Sequence, residues 1–443
     1  MAMTDTDKLA AKIEEISGSE HVEFLDRAPS DFSVDGLSPA VVVAPGSEDE
    51  VSAILSMASE WGLGVVLRGA GTKMSIGNAP NSLDIVLSMR RLEGIREYDH
   101  ENLSVSVGAG ATLAGLGVVL REKKQFLPLD PLFHKACTVG GTIASGSSGP
   151  SRFKYGSPRD LVLGIRGVLP TGRSFKFGGK VTKNVAGYDM TKLFIGSYGT
   201  IGAVTEATFK LFPLPEAKKT ALVPFPALGD AAVFIESVLD SYLEPTSIDI
   251  LNPGALGMLN GETGLKLAHG YVAAIGLEGF TEAVKRQVDE LGAMADGLKC
   301  SVIEGREQEL FWSAVSDFAG SFERPVRLKA GAPISSLLSA VERLERDALE
   351  MGFEVSIIAH AGSGVAFQFF NQSEVSPEQC RDYVLHGRRL LEGLGGYLTV
   401  EEAPLEVKER LPVWGDVGGG IRLMREIKSA FDPACIMAPG RFL

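Results

Sequence analysis

Four cysteines, Cys137, Cys300, Cys380 and Cys435, are spread over 443 residues, and none stands in a CxxC pair. That excludes a zinc ribbon and an iron–sulfur cluster ligated by this chain alone, and makes buried reduced thiols the expected state. The six histidines show neither HxH nor HExxH spacing. No run reaches the roughly 18 apolar residues that a membrane-spanning helix needs. The first residues, MAMTDTDKLAAKIEEISG, lack the basic and apolar regions of a secretory signal. Basic residues are also in deficit: 43 Lys and Arg face 56 Asp and Glu, a net charge of -13. Such a surface repels nucleic-acid phosphates. The expectation is a cytoplasmic protein with no integral membrane segment and no nucleic-acid partner, meeting a membrane surface only by way of a partner.

What is abundant is apolar matter and glycine. Hydrophobic residues make up 45% of the chain, enough for two or three domains with large cores, and there are 52 glycines. Leu9, Ile13 and Ile16 mark one face of an N-terminal helix. The segments VVVAP, GVVLRG, DIVLSM and LSVSVGAG read as strands. SEDEVSAILSMASEWG between the first two reads as a helix with Val51, Ile54, Leu55 and Ala58 at helical spacing. Residues 128–160 are rich in Gly, Ser and Pro, and little regular structure is expected there; a stretch of that length inside a domain is usually functional. Pro213 and Pro215 mark a boundary. Beyond it, strands alternate with helices at Thr281–Ala293, Ile334–Met351 and Pro377–Leu394. That pattern predicts two ferredoxin-like halves sharing one antiparallel sheet, with helices on one face.

Two glycine-rich segments about 70 residues apart carry the chemistry: RGAGTKMS at Arg68–Ser75 and CTVGGTIASGSSGPSRFKYG at Cys137–Gly156. Successive small residues let backbone N–H groups converge on a diphosphate. Neither segment is a Walker A loop, since no GK[ST] follows, and neither is a GxGxxG fingerprint.

The order of motifs narrows this further. It runs PGSEDEV (Pro45–Val51), RGAGT, SVSVGAG, PLDP (Pro128–Pro131), ACTVGGTIASG, YG at 155–156, VLPTG, KNVAGYDMTKLFIGSYGTIGAVTEATFKL and a C-terminal FDP…PGR. This resembles the FAD-linked oxidases of the vanillyl-alcohol-oxidase type, above all the glycolate oxidase branch and, within it, FAD-binding rather than catalytic subunits. The resemblance implies an α+β protein. Its parts would be an N-terminal helical segment (1–34), a two-subdomain FAD-binding domain (35–216), a ferredoxin-like antiparallel cap (217–410), and a C-terminal helix and tail (411–443) returning to the FAD domain. It implies that Arg68, Gly69, Ala70, Gly71 and Thr72 hold the pyrophosphate. It also implies that Thr138, Gly140, Gly141, Thr142, Ser145 and Gly146 pass the flavin and the diphosphate. Ser75, Pro128, Gly149, Tyr155, Gly156 and Val204 would border the same cofactor. Some relatives attach FAD through His or Cys. Lys73, Met74 and Ser75 follow the first loop here with no His, so non-covalent FAD is expected.

The catalytic constellation of that branch is only half kept. Hydroxyacid-oxidising members hold a divalent metal with two His of an HxGDGNxH segment and a later Glu-His. Here HAGSGVAF (His360–Phe367) keeps the first His but has Phe367 at the second, and GGYLTVEEAP keeps Glu401 but has Glu402 in place of His. No metal is therefore expected, and His360 reads foremost as a strand-end residue with an ordinary hydrogen bond. Trp312 is followed by SAVSD, without the Arg that would meet a substrate carboxylate; Arg327 or Lys329 could substitute. Lys329, His360 and Asn184 are the candidates for catalysis. The expected role is an FAD-carrying subunit working with a homologous catalytic flavoprotein and an iron–sulfur subunit on a small 2-hydroxyacid. The alternative is a stand-alone FAD-dependent dehydrogenase.

Overall fold

The structure is a computed structural model, and it describes residues 5–25, 31–180, 188–267, 270–295 and 297–442. Three parallel strands, Val41–Val43, Ile85–Ser88 and Val65–Arg68, lie side by side, with Val22–Phe24 antiparallel on the outer edge. The helix Glu48–Trp61 connects the first and second of the parallel strands in chain order, Val41–Val43 and Val65–Arg68. Ser47 caps it by accepting from the Glu50 N–H at 3.1 Å, and Gly62 ends it in the left-handed region at φ 66°. Val51, Ile54, Leu55 and Ala58 are buried on one face, as the 3.6-residue period requires. Leu9 and Ile13 of the N-terminal helix Asp5–Ser17 join that core.

A second, five-stranded sheet is antiparallel, in the order Ile95–Asp99, Ser104–Gly108, Ala203–Lys210, Val162–Val168, Ser174–Gly178. The stretch 128–160 departs from expectation by containing three short helices, Val139–Ser145, Arg152–Tyr155 and Pro158–Leu161. Caps explain two of them. Thr138 accepts from the Gly141 N–H at 3.2 Å, and Ser157 forms a capping box with Asp160.

Residues 217–402 supply an eight-stranded antiparallel sheet built from two βαββαβ halves. In spatial order its strands are Ser301–Glu304, Ala217–Phe225, Tyr271–Gly279, Ser247–Leu251, Ser356–His360, Val365–Asn371, Pro325–Gly331 and Tyr397–Glu402. The halves join where Ser247–Leu251 pairs with Ser356–His360. Period-2 alternation sends Ala221, Val223, Ile248 and Ile250 to the face covered by the helices Leu228–Leu239, Thr281–Met294, Ile334–Glu350 and Pro377–Glu392. The expectation of helices on one face needs correction. Pro253–Thr263 and Gly305–Asp317 pack on the other face, where Leu256, Leu259, Phe311 and Val315 meet Leu222, Leu251 and Phe369. Leu132 and Phe133 of the Gly/Ser/Pro-rich stretch join them there, which turns this face of the sheet toward the first half of the chain.

After the helix Gly420–Phe431 the tail returns to the first sheet. Val65 N–H donates to Ile436 O and Ala438 N–H to Val65 O, each at 2.8 Å. The buried Lys428 ammonium fixes this turn, donating to Thr200 O at 2.7 Å, to Met437 O at 2.9 Å and to Asp432.

Candidate active site

The two glycine-rich loops form one site because they touch. A Cβ on Gly69 would lie 2.2 Å from the Thr138 hydroxyl, and one on Gly140 would lie 2.9 Å from the Ala109 Cβ. Gly71 has φ +85°, which L side chains rarely adopt, and a Cβ there would strike the Arg68 guanidinium. The backbone therefore comes as close as glycine allows. Between the loops lies a cleft of about 930 Å³ counting its open mouth. Gly69, Ala70, Gly71, Thr72, Thr138, Gly140, Gly141, Ser145 and Val204 all line it. Among the described residues, the backbone hydrogen bonds of this loop leave the amides of Ala70, Gly71 and Thr72 free to donate elsewhere.

The other anticipated residues stand outside the lining. Arg68 turns away, its guanidinium 4.6 Å over the Phe32 ring and donating to Asp31 O at 3.2 Å. Thr142 is buried and donates to Thr138 O at 2.9 Å, so it shapes the second loop from behind. Gly146 ends the short helix in the left-handed region at φ 61°. Ser75 offers its carbonyl to Lys408. Pro128 lines a separate groove with Arg121, His134 and Trp312. Gly149 lies so close to Asp130 that a Cβ would overlap its carbonyl oxygen at 1.9 Å. Tyr155 donates its hydroxyl to Glu278 of the cap, and Gly156 turns at φ +86° against Asp160. Tyr155 thereby joins the two halves of the molecule, whereas Gly156 stays within the first. Asn184 lies outside the described residues.

Three residues to which the sequence assigned no cofactor role also line the cleft. Tyr198 lines it, and burial pushes its phenol well above the usual range. Cys137 also lines it, and burial likewise raises its thiol, so it stays protonated at neutral pH. Arg441, 3% exposed, donates to Met74 O at 2.7 Å and Ile76 O at 2.6 Å and so clamps the first loop from the tail. Among the described residues, its Nε and one Nη have no hydrogen-bond partner. A buried guanidinium with free donors at a cleft of free amides fits an anionic group such as a diphosphate. The PGR motif was visible in the sequence, but only the returning tail brings it to the first loop.

The cap sheet faces this cleft through charge. Arg327, 1% exposed, lies 3.1 Å from Glu401 and 2.9 Å from Glu402, and Lys329 is 3.9 Å from Glu401. Burial alone would push Glu401 up, but Lys329, Arg327 and Lys73 outweigh it and hold the carboxyl below its usual range. Burial pushes Glu402 up despite Arg327. His360 is engaged elsewhere: its Nδ1 is 2.9 Å from Asp249, and its ring packs edge-on to Phe367 with centroids 5.6 Å apart. The expected Arg position after Trp312 leaves that indole donating to Thr220 at 2.9 Å.

A family model described as "FAD binding domain" matches residues 39–178, and one described as "FAD linked oxidases, C-terminal domain" matches residues 214–442. A glycolate oxidase subunit GlcD of Bacillus subtilis is 31% identical over 96% of this chain and 95% of its own length. A D-lactate dehydrogenase of Archaeoglobus fulgidus is 30% identical over 99% of both chains. The fold is shared with a substrate-bound p-cresol methylhydroxylase (TM-score 0.76, 16% identity, 99% of this chain and 97% of that one). A 4-ethylphenol oxidase from Gulosibacter chungangensis shares it too (TM-score 0.75, 15% identity, 99% and 97%). The loops, the returning tail and these likenesses agree: the chain belongs to the FAD-linked oxidases and is an FAD-dependent oxidoreductase.

Proposed function

We propose that this chain is the FAD-carrying subunit of a 2-hydroxyacid dehydrogenase complex, with a homologous catalytic flavoprotein and an iron–sulfur subunit as partners. One observation carries this reading. Where the branch would place metal ligands, Glu401 and Glu402 are engaged by Arg327, and His360 is engaged by Asp249. Each potential ligand already has a protein partner, and three or four protein donors are normally needed to hold a first-row metal tightly. Bound FAD would supply two-electron chemistry. The chain's own residues would anchor it: the amides of Ala70, Gly71 and Thr72 and the free donors of Arg441 toward phosphate, and Tyr198 and Val204 along the cleft. The protonated Cys137 is a poor nucleophile, which supports non-covalent attachment. Acid precipitation should then release the yellow colour into the supernatant, and colour in the pellet would refute that part. Partner subunits would also account for any attachment to a membrane surface; among the described residues no helix is long and apolar enough to cross one.

A second reading, a stand-alone dehydrogenase, draws on the full-length likeness to a D-lactate dehydrogenase. In that case the Asp249-oriented His360 would accept the substrate proton. It faces a cavity of about 270 Å³ shared with Ser148, Phe367 and Phe369. Glycolate and D-lactate turnover with an artificial acceptor separates the two readings. The subunit reading expects little turnover by this chain alone, no chelator effect, and activity once a catalytic homologue is added.

A further inference from the structure

Lys73 follows the diphosphate-type amides of Ala70, Gly71 and Thr72 and lines the same cleft. Its ammonium donates to the Ser147 hydroxyl of the second loop. The charged and titratable groups that face it are Glu401, Arg327 and Lys329 from the cap and Cys137 from the second loop. Arg327 pairs with both Glu401 and Glu402, and Lys329 is within 3.9 Å of Glu401. Three cations thus stand against two carboxylates. Arg327 and Lys329 make the direct pairs with the two carboxylates, while Lys73 feels Glu401 without pairing with it and lines the cleft as the third cation.

We propose that Lys73 is the electrostatic partner of the reduced flavin, stabilising the negative charge that reduction creates and so raising the cofactor's reduction potential. The proposal rests on FAD binding and not on the hydroxyacid reading, so glycolate turnover can fail without touching it. Reduction adds two electrons, from a chemical reductant in the test, and one proton from solvent to the isoalloxazine, and leaves it with one negative charge. The diphosphate carries the same charge in both oxidation states. A lysine serving only the diphosphate would therefore strengthen binding of oxidised and reduced FAD alike and leave the potential unmoved. Burial, partly offset by Glu401, lowers the Lys73 ammonium to about 8. The added flavin charge must raise it again, by linkage. Above that pH, each two-electron reduction should then take up a second proton, onto Lys73.

The test is a redox titration of the FAD-loaded chain with mediators, from about pH 6 to about pH 10, for wild type, Lys73→Met and Lys73→Arg. Wild type should take up one proton per two electrons below about pH 8 and two above it. Lys73→Met should lose roughly tenfold of its preference for reduced over oxidised FAD, a fall of about 30 mV for a two-electron couple, and should not gain the second proton above about pH 8. Lys73→Arg should keep the wild-type potential at neutral pH but lose the second proton. Equal potentials in Lys73→Met and wild type, both holding flavin, would overturn the proposal. If Lys73→Met fails to hold flavin, the wild-type titration decides alone: a single proton over the whole range refutes it.

Discussion

The wall of the cleft that carries Gly69, Gly71 and Gly140 is backbone, whereas the cap sheet facing Lys73 presents side-chain charge through Arg327, Lys329, Glu401 and Glu402. The first wall works by proximity. A Cβ at Gly69 or Gly140 would fall 2.2 or 2.9 Å from the neighbouring loop or strand, so shape decides what fits and pH is irrelevant. The second works by balance. Its groups are paired with one another, so removing one member leaves another stranded in a poorly solvated place. The two walls should accordingly fail in different ways.

The largest effect on FAD binding is expected at the backbone wall. Gly69→Val puts a branched side chain where the Thr138 hydroxyl stands, and the displaced loop should cost about 3 kcal/mol of FAD affinity, roughly 100-fold. The flavin-to-protein ratio after gel filtration checks this, and full occupancy would break the assignment of the loop. Gly141→Val should be milder, since its Cβ would meet the Thr138 hydroxyl at 3.1 Å.

At the charged wall, Arg327→Leu strips Glu401 and Glu402 of the cation that pairs with both. It should destabilise the fold by about 3–5 kcal/mol while the surviving protein still binds FAD. Denaturant unfolding measures the first part and flavin content the second. Loss of flavin without loss of stability would show that the two walls are not separable.

The sharpest contrast is between neighbours. Glu401, held below its usual range, contributes stability that is present above the unfolded carboxylate value near 4.3 and is lost as pH falls through its lower folded value. Glu401→Gln should therefore cost about 2 kcal/mol at neutral pH, with the difference vanishing in acid. Glu402 runs the other way. Its folded value is raised, so its contribution is present below the unfolded value and is lost as pH rises. Glu402→Gln should be neutral or stabilising at pH 7. Equal penalties for the two substitutions would contradict the pairing described for the cap.

How much of this was legible in the sequence follows from what is local. Ser47 and Gly62 bound a helix that its own period announces, and the strands flanking it are short apolar runs. The glycines at 69–71 and 140–141 were readable because only small residues let amides converge. By contrast, Asp249 reaches His360 across 111 positions, and Arg441 reaches the carbonyl of Met74 across 367. No spacing rule spans such distances. The helices Pro253–Thr263 and Gly305–Asp317 were missed for a related reason. Both faces of the cap sheet are apolar, so alternation could not tell which one the helices cover. Tyr155 was taken with its motif as a cofactor residue, whereas its hydroxyl reaches Glu278 on the cap.

The most direct measurement mixes the FAD-loaded, isolated chain anaerobically with D-lactate or glycolate, then with a chemical reductant, and follows the flavin absorbance. We expect the reductant to bleach the flavin fully and the hydroxyacids to leave it oxidised until a catalytic homologue is added. Stoichiometric bleaching by a hydroxyacid alone would contradict the account and make this chain a dehydrogenase in its own right.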